Sequence, residues 1–327
     1  MFQEKFEKFK KTVKDYDIIT ADTRKILIAM SGGKDGATMA HFLLEYKKQV
    51  RPDLELQVLT APMPYWEHQP ETVSGLTLNT QQRVLIEEQK RAATEFSRYW
   101  GQYFECKAVP VEHDLYKDRI LKMNWPCILC FCTKMKGMHR YLAQQPYDDN
   151  TLFALGWTKW DAHYTLLSHL LKSNGTKWPD LKKRDPKKYK ADCVFLASFL
   201  AYPKVDLGIP GKRIFRINPM VEFDDEETGA LRDELGFPIL KDICKEFHGD
   251  MFDQDRRYLS KYLELYSTNL KRMNLPADSF LFSYRNLFRY LTEAEIVPPV
   301  EELNGVAYEA YNSNFDDTFE MLRKQDS

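Results

Sequence analysis

Three groups of residues have the types and spacing for chemistry. The first is Ser31-Gly32-Gly33-Lys34-Asp35-Gly36. The apolar run Ile26-Leu27-Ile28-Ala29-Met30 leads into it, and Met39, Phe42, Leu43 and Tyr46 follow at i, i+3, i+4 and i+7. A buried strand, a glycine turn and a helix start in that order aim unpaired N–H groups and the positive end of a helix at one point. Two glycines let the backbone approach phosphate oxygens, Ser31 offers a hydroxyl and Lys34 a charge. The pattern is a phosphate loop but lacks the Walker spacing.

The second group is Cys127-Ile128-Leu129-Cys130, with Cys132, Lys134 and Lys136 just beyond. Two thiolates at this spacing can face one metal, form a redox dithiol, or simply pack. A metal needs a third ligand, which Cys244 offers; Cys244 with His248 would complete a Cys3His zinc site. The third group is Gly156-Trp157-Thr158-Lys159-Trp160-Asp161. Asp161 reads equally as a magnesium or base carboxylate and as an ordinary helix cap. Trp157 reads as a stacking platform for a base or as core, while His163 and His169 read as structural. Cys106 and Cys193 read as packing residues.

These groups need a scaffold, and the hydrophobic pattern supplies one. Strands are expected at residues 26–30, 54–61, 103–109, 152–155 and 214–217. Between and after them, helices are expected following the glycine turn and over 81–100, 161–171, 225–235 and 253–269. Strands separated by helices predict an α/β fold, a parallel sheet with helices on both faces, with a helical C-terminal region. Phe2, Phe6, Phe9 and Val13 mark an amphipathic helix docked on the domain. The expected division is an N-terminal helix over 1–22, the phosphate-loop domain over 23–240 and the helical region over 241–327.

The whole chain then bounds the function. Its 47 basic and 48 acidic residues nearly cancel, so any nucleic-acid contact must be a local patch. Residues 172–190 are that patch, read either as a loop touching RNA with Trp178 and Tyr189 stacking on bases or as a solvated surface loop. The longest apolar run, residues 194–202, is too short to span a membrane, and the charged N-terminus is unlike a signal peptide. Six cysteines are too few for a disulfide scaffold. A cytoplasmic protein is expected.

The string SGGKD resembles the SGGxDS signature of the PP-loop ATP pyrophosphatases, with Gly36 standing where the family has Ser. Those enzymes cut ATP between the α and β phosphates and adenylate a substrate. The order of loop, C-x-x-C, Gly-ended strand and downstream cysteine resembles the tRNA 2-thiocytidine synthetase family over roughly residues 24–269. Two further strings carry that likeness: Asn218-Pro219-Met220, and Leu235-Gly236-Phe237-Pro238-Ile239 ahead of Cys244. The family's GHxxDD-like string is altered here, keeping Gly156 and Asp161.

The resemblance implies an ATP site lined by Ala29, Met30, Ser31, Gly32, Gly33, Lys34, Asp35, Gly36 and Gly156, with Asp35 helping to hold Mg2+. It implies a [4Fe–4S] cluster on Cys127, Cys130 and Cys244, with Zn2+ as the alternative metal. Catalytic roles fall to Asp35, Asp161, Cys127, Cys130 and Lys134, with Lys136 as a second candidate for neutralising phosphate charge. The implied partners are tRNA and a sulfur donor such as a cysteine desulfurase, a persulfide or sulfide. Related enzymes are commonly homodimers. Phe131-Cys132-Thr133-Lys134-Met135-Lys136 is also similar to the Cys-Thr-x-x-Leu-Lys pattern of the phosphoadenylyl-sulfate reductase branch, which includes DNA phosphorothioation enzymes; Cys132 would then be the working thiol. The same chemistry on another substrate, or a non-catalytic nucleotide- or metal-binding module, are the alternatives.

Overall fold

The computed structural model describes residues 1–61, 72–73, 76–77, 80–109, 126–159, 161, 178–186, 189–190, 193, 204–240, 289–295, 297–303 and 305. Helix α1 (Phe2–Asp15) is followed by β1 (Lys25–Met30), α2 (Lys34–Gln49) and β2 (Glu55–Thr60). A short hairpin, β3 (Thr72–Val73) and β4 (Leu76–Thr77), precedes α3 (Thr80–Trp100) and β5 (Glu105–Ala108). Next come α4 (Pro126–Gln144), β6 (Thr151–Leu155), α5 (Trp178–Arg184), β7 (Lys204–Asp206), β8 (Phe215–Ile217), α6 (Asp225–Leu235) and α7 (Val300–Leu303). All five expected strands form, as does every expected helix that falls on described residues. The helices expected over 161–171 and 253–269 lie outside them, apart from Asp161 itself.

The main sheet runs β5-β2-β1-β6-β8-β7, parallel throughout except for β7, which is antiparallel to β8. It is therefore the α/β sheet flanked by helices that the strand–helix alternation predicts, with one antiparallel edge. Alternation along β1 divides the core in two. Ile26, Ile28 and Met30 face one cluster with Phe42, Leu43, Phe223 and Leu231, whereas Leu27 faces the other with Met135, Met138, Leu142 and Phe153. Both faces of β1 are thus buried, which is why its sequence reads as an unbroken apolar run.

Helix α1 docks as its pattern predicts: Phe2, Phe6 and Phe9 stack around Phe42 of α2. Lys5 and Lys8 then reach Glu227 of α6 at 2.8 Å. Burial works against charge on Glu227, yet the two ammonium groups outweigh it and hold its carboxyl below the usual range.

Two expectations need correction. The basic segment 172–190 is not simply a loop, because Trp178–Arg184 is helical. Tyr189 is buried in the second core cluster, with the Lys182 ammonium 5.7 Å from its ring centre, so it has no face left for an RNA base. Cys106 is not a packing residue, since it is exposed on the edge strand β5. Cys193 does pack, fully buried. Among the described residues no helix is long and apolar enough to cross a membrane.

Candidate active site

The chain leaves β1 to build β2 and β5 on one side, then returns to lay β6 and β8 on the other. The crevice between the carboxyl ends of β1 and β6 is the switch point where ligands of such sheets bind. Ala29 pairs with Leu155, so the glycine loop after β1 and Gly156 after β6 leave the sheet side by side. They nearly touch. A Cβ on Gly156 would lie 2.6 Å from the nitrogen of Gly36 and 2.7 Å from its Cα. Only glycine admits that approach. Gly36 itself is different, because a Cβ there meets nothing closer than the Ala29 carbonyl at 3.6 Å. A serine at this position fits the backbone, so the departure from SGGxDS is not steric.

Within the loop, Gly32 takes φ +91°, a conformation that L side chains rarely adopt. A Cβ at Gly32 would also collide at 2.5 Å with Leu240, whose N–H donates to the Gly32 carbonyl at 2.8 Å. The segment after α6 is thereby strapped across the loop. Gly33 is the N-cap of α2 and offers no side-chain cap, and Ser31 and Gly33 are exposed. The positive end of α2 thus faces outward with a hydroxyl beside it, which suits an anion.

Lys34 and Asp35 meet the start of α6. The Lys34 ammonium donates to Asp35 Oδ1 at 2.7 Å, Thr228 Oγ1 at 3.0 Å and Asp225 Oδ1 at 3.3 Å. Burial opposes its charge, but Asp35 and Asp225 outweigh that and raise its pKa above the ordinary lysine value. Fully buried Thr228 donates to Asp35 Oδ1 at 2.6 Å. The structure thus places Lys34 on oxygens of its own chain. Sequence reading missed Asp225 and Thr228. The only local signal was the capping box of α6, in which Asp224 accepts from the Glu227 N–H and Glu227 from the Asp224 N–H.

The altered string after β6 is tied to the same place. Lys159, nearly buried, sits 3.3 Å from Asp224, and its N–H donates to the Phe223 carbonyl. Asp161 Oδ2 accepts from the Thr158 N–H at 2.9 Å and from its hydroxyl at 3.4 Å. That oxygen therefore closes a helix start, as a capping carboxylate does. Trp157 is half-buried, with the Arg216 guanidinium 5.6 Å from its ring centre. Arg216, on β8, is buried, and so is His139 on α4, whose pKa burial pushes down to about 3 with help from the Arg216 charge. These two residues carry no motif, so sequence reading passed over them.

Helix α4 carries the cysteines, with Pro126 at its first position, where the missing N–H costs nothing. Cys127, Cys130 and Lys134 fall at i, i+3 and i+7, on one face of that helix. Lys136, two residues past Lys134, falls on another, so of the two lysines only Lys134 shares the cysteine face. Cys132 lies off that face as well. Cys244 and His248 lie outside the described residues. Among the described residues no group of three or more metal-binding side chains occurs.

No family model matches the chain, and no curated protein matches it. Among solved structures it is similar to the U34-tRNA thiolase NcsA from Methanococcus maripaludis with its [4Fe–4S] cluster. The TM-score is 0.54 at 21% identity, over 89% of this chain and 80% of that one. That likeness establishes a shared PP-loop, Rossmann-like fold.

Proposed function

We propose that the protein is an ATP-dependent sulfurtransferase that adenylates a carbonyl oxygen, releases pyrophosphate and replaces the oxygen with sulfur, on a tRNA base. The carrying observation is the junction at the sheet's switch point, where an uncapped α2 N-terminus, Ser31 and Asp35 converge against Gly156. The fold shared with a tRNA thiolase supports the substrate class.

The phosphates lie along Ser31–Gly36, on N–H groups at the start of α2. The substrate carbonyl oxygen attacks the α-phosphorus and pyrophosphate leaves, so a poor leaving group becomes AMP. A hydrosulfide sulfur then adds to the former carbonyl carbon; AMP departs with the former carbonyl oxygen, the sulfur loses its proton to solvent, and the product is a thiocarbonyl. Asp35 fits Mg2+: its Oδ1 takes both described hydrogen bonds, and Oδ2 receives none from the described residues. Magnesium is held by one or two carboxylates plus phosphate oxygens, and it would neutralise charge on the departing pyrophosphate. Cys127 and Cys130, one helical turn apart, fit two ligands of a cluster, with Cys244 as the third. When bound, such a cluster supplies an iron without a protein ligand, able to hold hydrosulfide. Lys134, seven residues after Cys127 on the same helix, would supply positive charge to that site.

The test is product analysis. Protein purified anaerobically, with ATP, Mg2+, sulfide and bulk tRNA, is expected to release AMP and pyrophosphate and to leave a thionucleoside detectable by mass spectrometry. Asp35→Ala is expected to abolish both. ADP as the product refutes the reaction type, and AMP formation that ignores tRNA refutes the substrate. Iron and sulfide analysis of the same preparation decides the metal, since stoichiometric zinc without iron refutes the cluster.

A further inference from the structure

Thr228 is fully buried on α6, yet its hydroxyl is aimed at the loop after β1, 193 residues earlier in the chain. It donates to Asp35 Oδ1 at 2.6 Å, accepts from the Lys34 ammonium at 3.0 Å, and lies 3.3 Å from the Asp225 carbonyl. Its location is fixed by the capping box at the start of α6, and α6 in turn is pinned through Glu227 to Lys5 and Lys8 of α1. The hydroxyl therefore sits on a rigid element, not on a loop.

We propose that Thr228 is a positioning residue for Asp35: it locks Oδ1 and leaves Oδ2, which takes no hydrogen bond from the described residues, as the ligand for the divalent cation that accompanies the nucleotide. This rests on the nucleotide reading of the loop. Asp35 lies in the first turn of α2 with its side chain 27% exposed, enough freedom to rotate if unheld. Both hydrogen bonds from the described residues fall on Oδ1. Lys34 alone does not define the rotamer, because its long side chain can follow the carboxylate as it turns. Thr228, with one short, fully buried side chain on a helix, cannot. Partners that orient a ligating carboxylate are commonly worth 10- to 100-fold in metal affinity.

The hydroxyl is separable from the packing. Thr228→Val keeps the shape and deletes the hydrogen bond, while Thr228→Ser keeps the bond and deletes a methyl. The experiment titrates Mg2+ into the full-length protein with a non-hydrolysable ATP analogue, reading nucleotide binding by calorimetry, alongside the same nucleotide in EDTA. Thr228→Val is expected to weaken the Mg2+ dependence at least tenfold while leaving metal-free nucleotide binding within twofold, and Thr228→Ser is expected to restore the Mg2+ dependence. Far-UV circular dichroism and melting confirm that each variant is folded. Asp35→Asn separates the two claims. If Asp35→Asn loses Mg2+ dependence but Thr228→Val keeps it, the positioning role is refuted and the nucleotide site stands. A Ser variant that fails like Val also refutes it, since packing then explains the loss. If the wild type binds no nucleotide, the loop reading falls and this one with it.

Discussion

Replacing Gly156 by alanine tests the site at its tightest point. The new Cβ would lie 2.6 Å from Gly36 N, 2.7 Å from Gly36 Cα and 2.9 Å from Asp35 C, where ordinary contact begins near 3.4 Å. All three neighbours are backbone in the first turn of α2, so no side chain can swing away; either β6 or the helix start must move by several tenths of an ångström. Overpacking of this kind typically costs about 1–3 kcal/mol. For a chain of this size that is a fall in melting temperature of roughly 1–4 °C. The moved atoms carry the N–H groups proposed to bind phosphate, and misplacement near 1 Å in a site can cost about 100-fold. Nucleotide affinity is therefore expected to fall by about tenfold or more. Gly36→Ala, only 3.6 Å from its nearest neighbour, is the control: it replaces a helical glycine and is expected to stabilise by about 0.5–1 kcal/mol. Scanning calorimetry and nucleotide titration on both variants read the outcome. A Gly156→Ala protein that melts and binds like wild type refutes the close approach, and so does a Gly36→Ala protein destabilised to the same degree.

Acidification should weaken the fold through two histidines, His139 buried and His41 half-buried. Burial holds His41 at about 4, with the Lys48 charge adding to it, and burial with the Arg216 charge holds His139 at about 3, whereas the unfolded value is near 6.5. The unfolded chain therefore takes up protons first: stability is intact above about pH 6.5 and is lost as pH falls below it, by about 2 kcal/mol per histidine at pH 5. Urea unfolding at pH 7 and pH 5 measures this, and a slope unchanged by His41→Asn counts against the assignment to His41. Lys34→Met removes the cation shared by Asp35, Asp225 and Thr228 and is expected to cost about 1–2 kcal/mol in chemical denaturation. An unchanged midpoint would show that the contact between α2 and α6 does not depend on it.

What the sequence discloses depends on how local the cause is. The run Ile26–Met30 and the helical spacing after it specify β1, the loop and α2 because strand burial, glycine conformation and helix periodicity act over a few residues. The capping box of α6 is local too, and so legible. The meeting of Thr228 with Asp35 spans 193 residues and has no motif, because it follows from how α6 packs on α2. Arg216 and His139 escape for a related reason: a buried Arg in a three-residue strand looks like an edge or surface residue until its neighbours are known. The edge strand β7 escaped because three residues, Lys204–Asp206, carry too little alternation to be recognised. In the basic segment the error came from composition. Lysines and prolines suggested a loop, but Trp178–Arg184 forms a helix and Tyr189 goes to the core.

The two glycines that meet at the switch point carry different information. Gly156 is dictated by packing, since any side chain there strikes the backbone of α2. Gly36 is not, because its Cβ position is open and the serine of the family signature would fit. Glycine there leaves the loop without the hydroxyl that the resembled signature would supply, with no structural gain, and in a helix it costs about 1 kcal/mol relative to alanine. Asp161, the acidic position that the altered string keeps, has one carboxylate oxygen committed to the Thr158 cap. Beside these two features, the Asp35–Thr228–Lys34 cluster adds order at the start of α2. Under the proposed nucleotide reading, the site relies on helix N–H groups and a rigidly held Asp35, with fewer side-chain contacts to phosphate than the signature would supply.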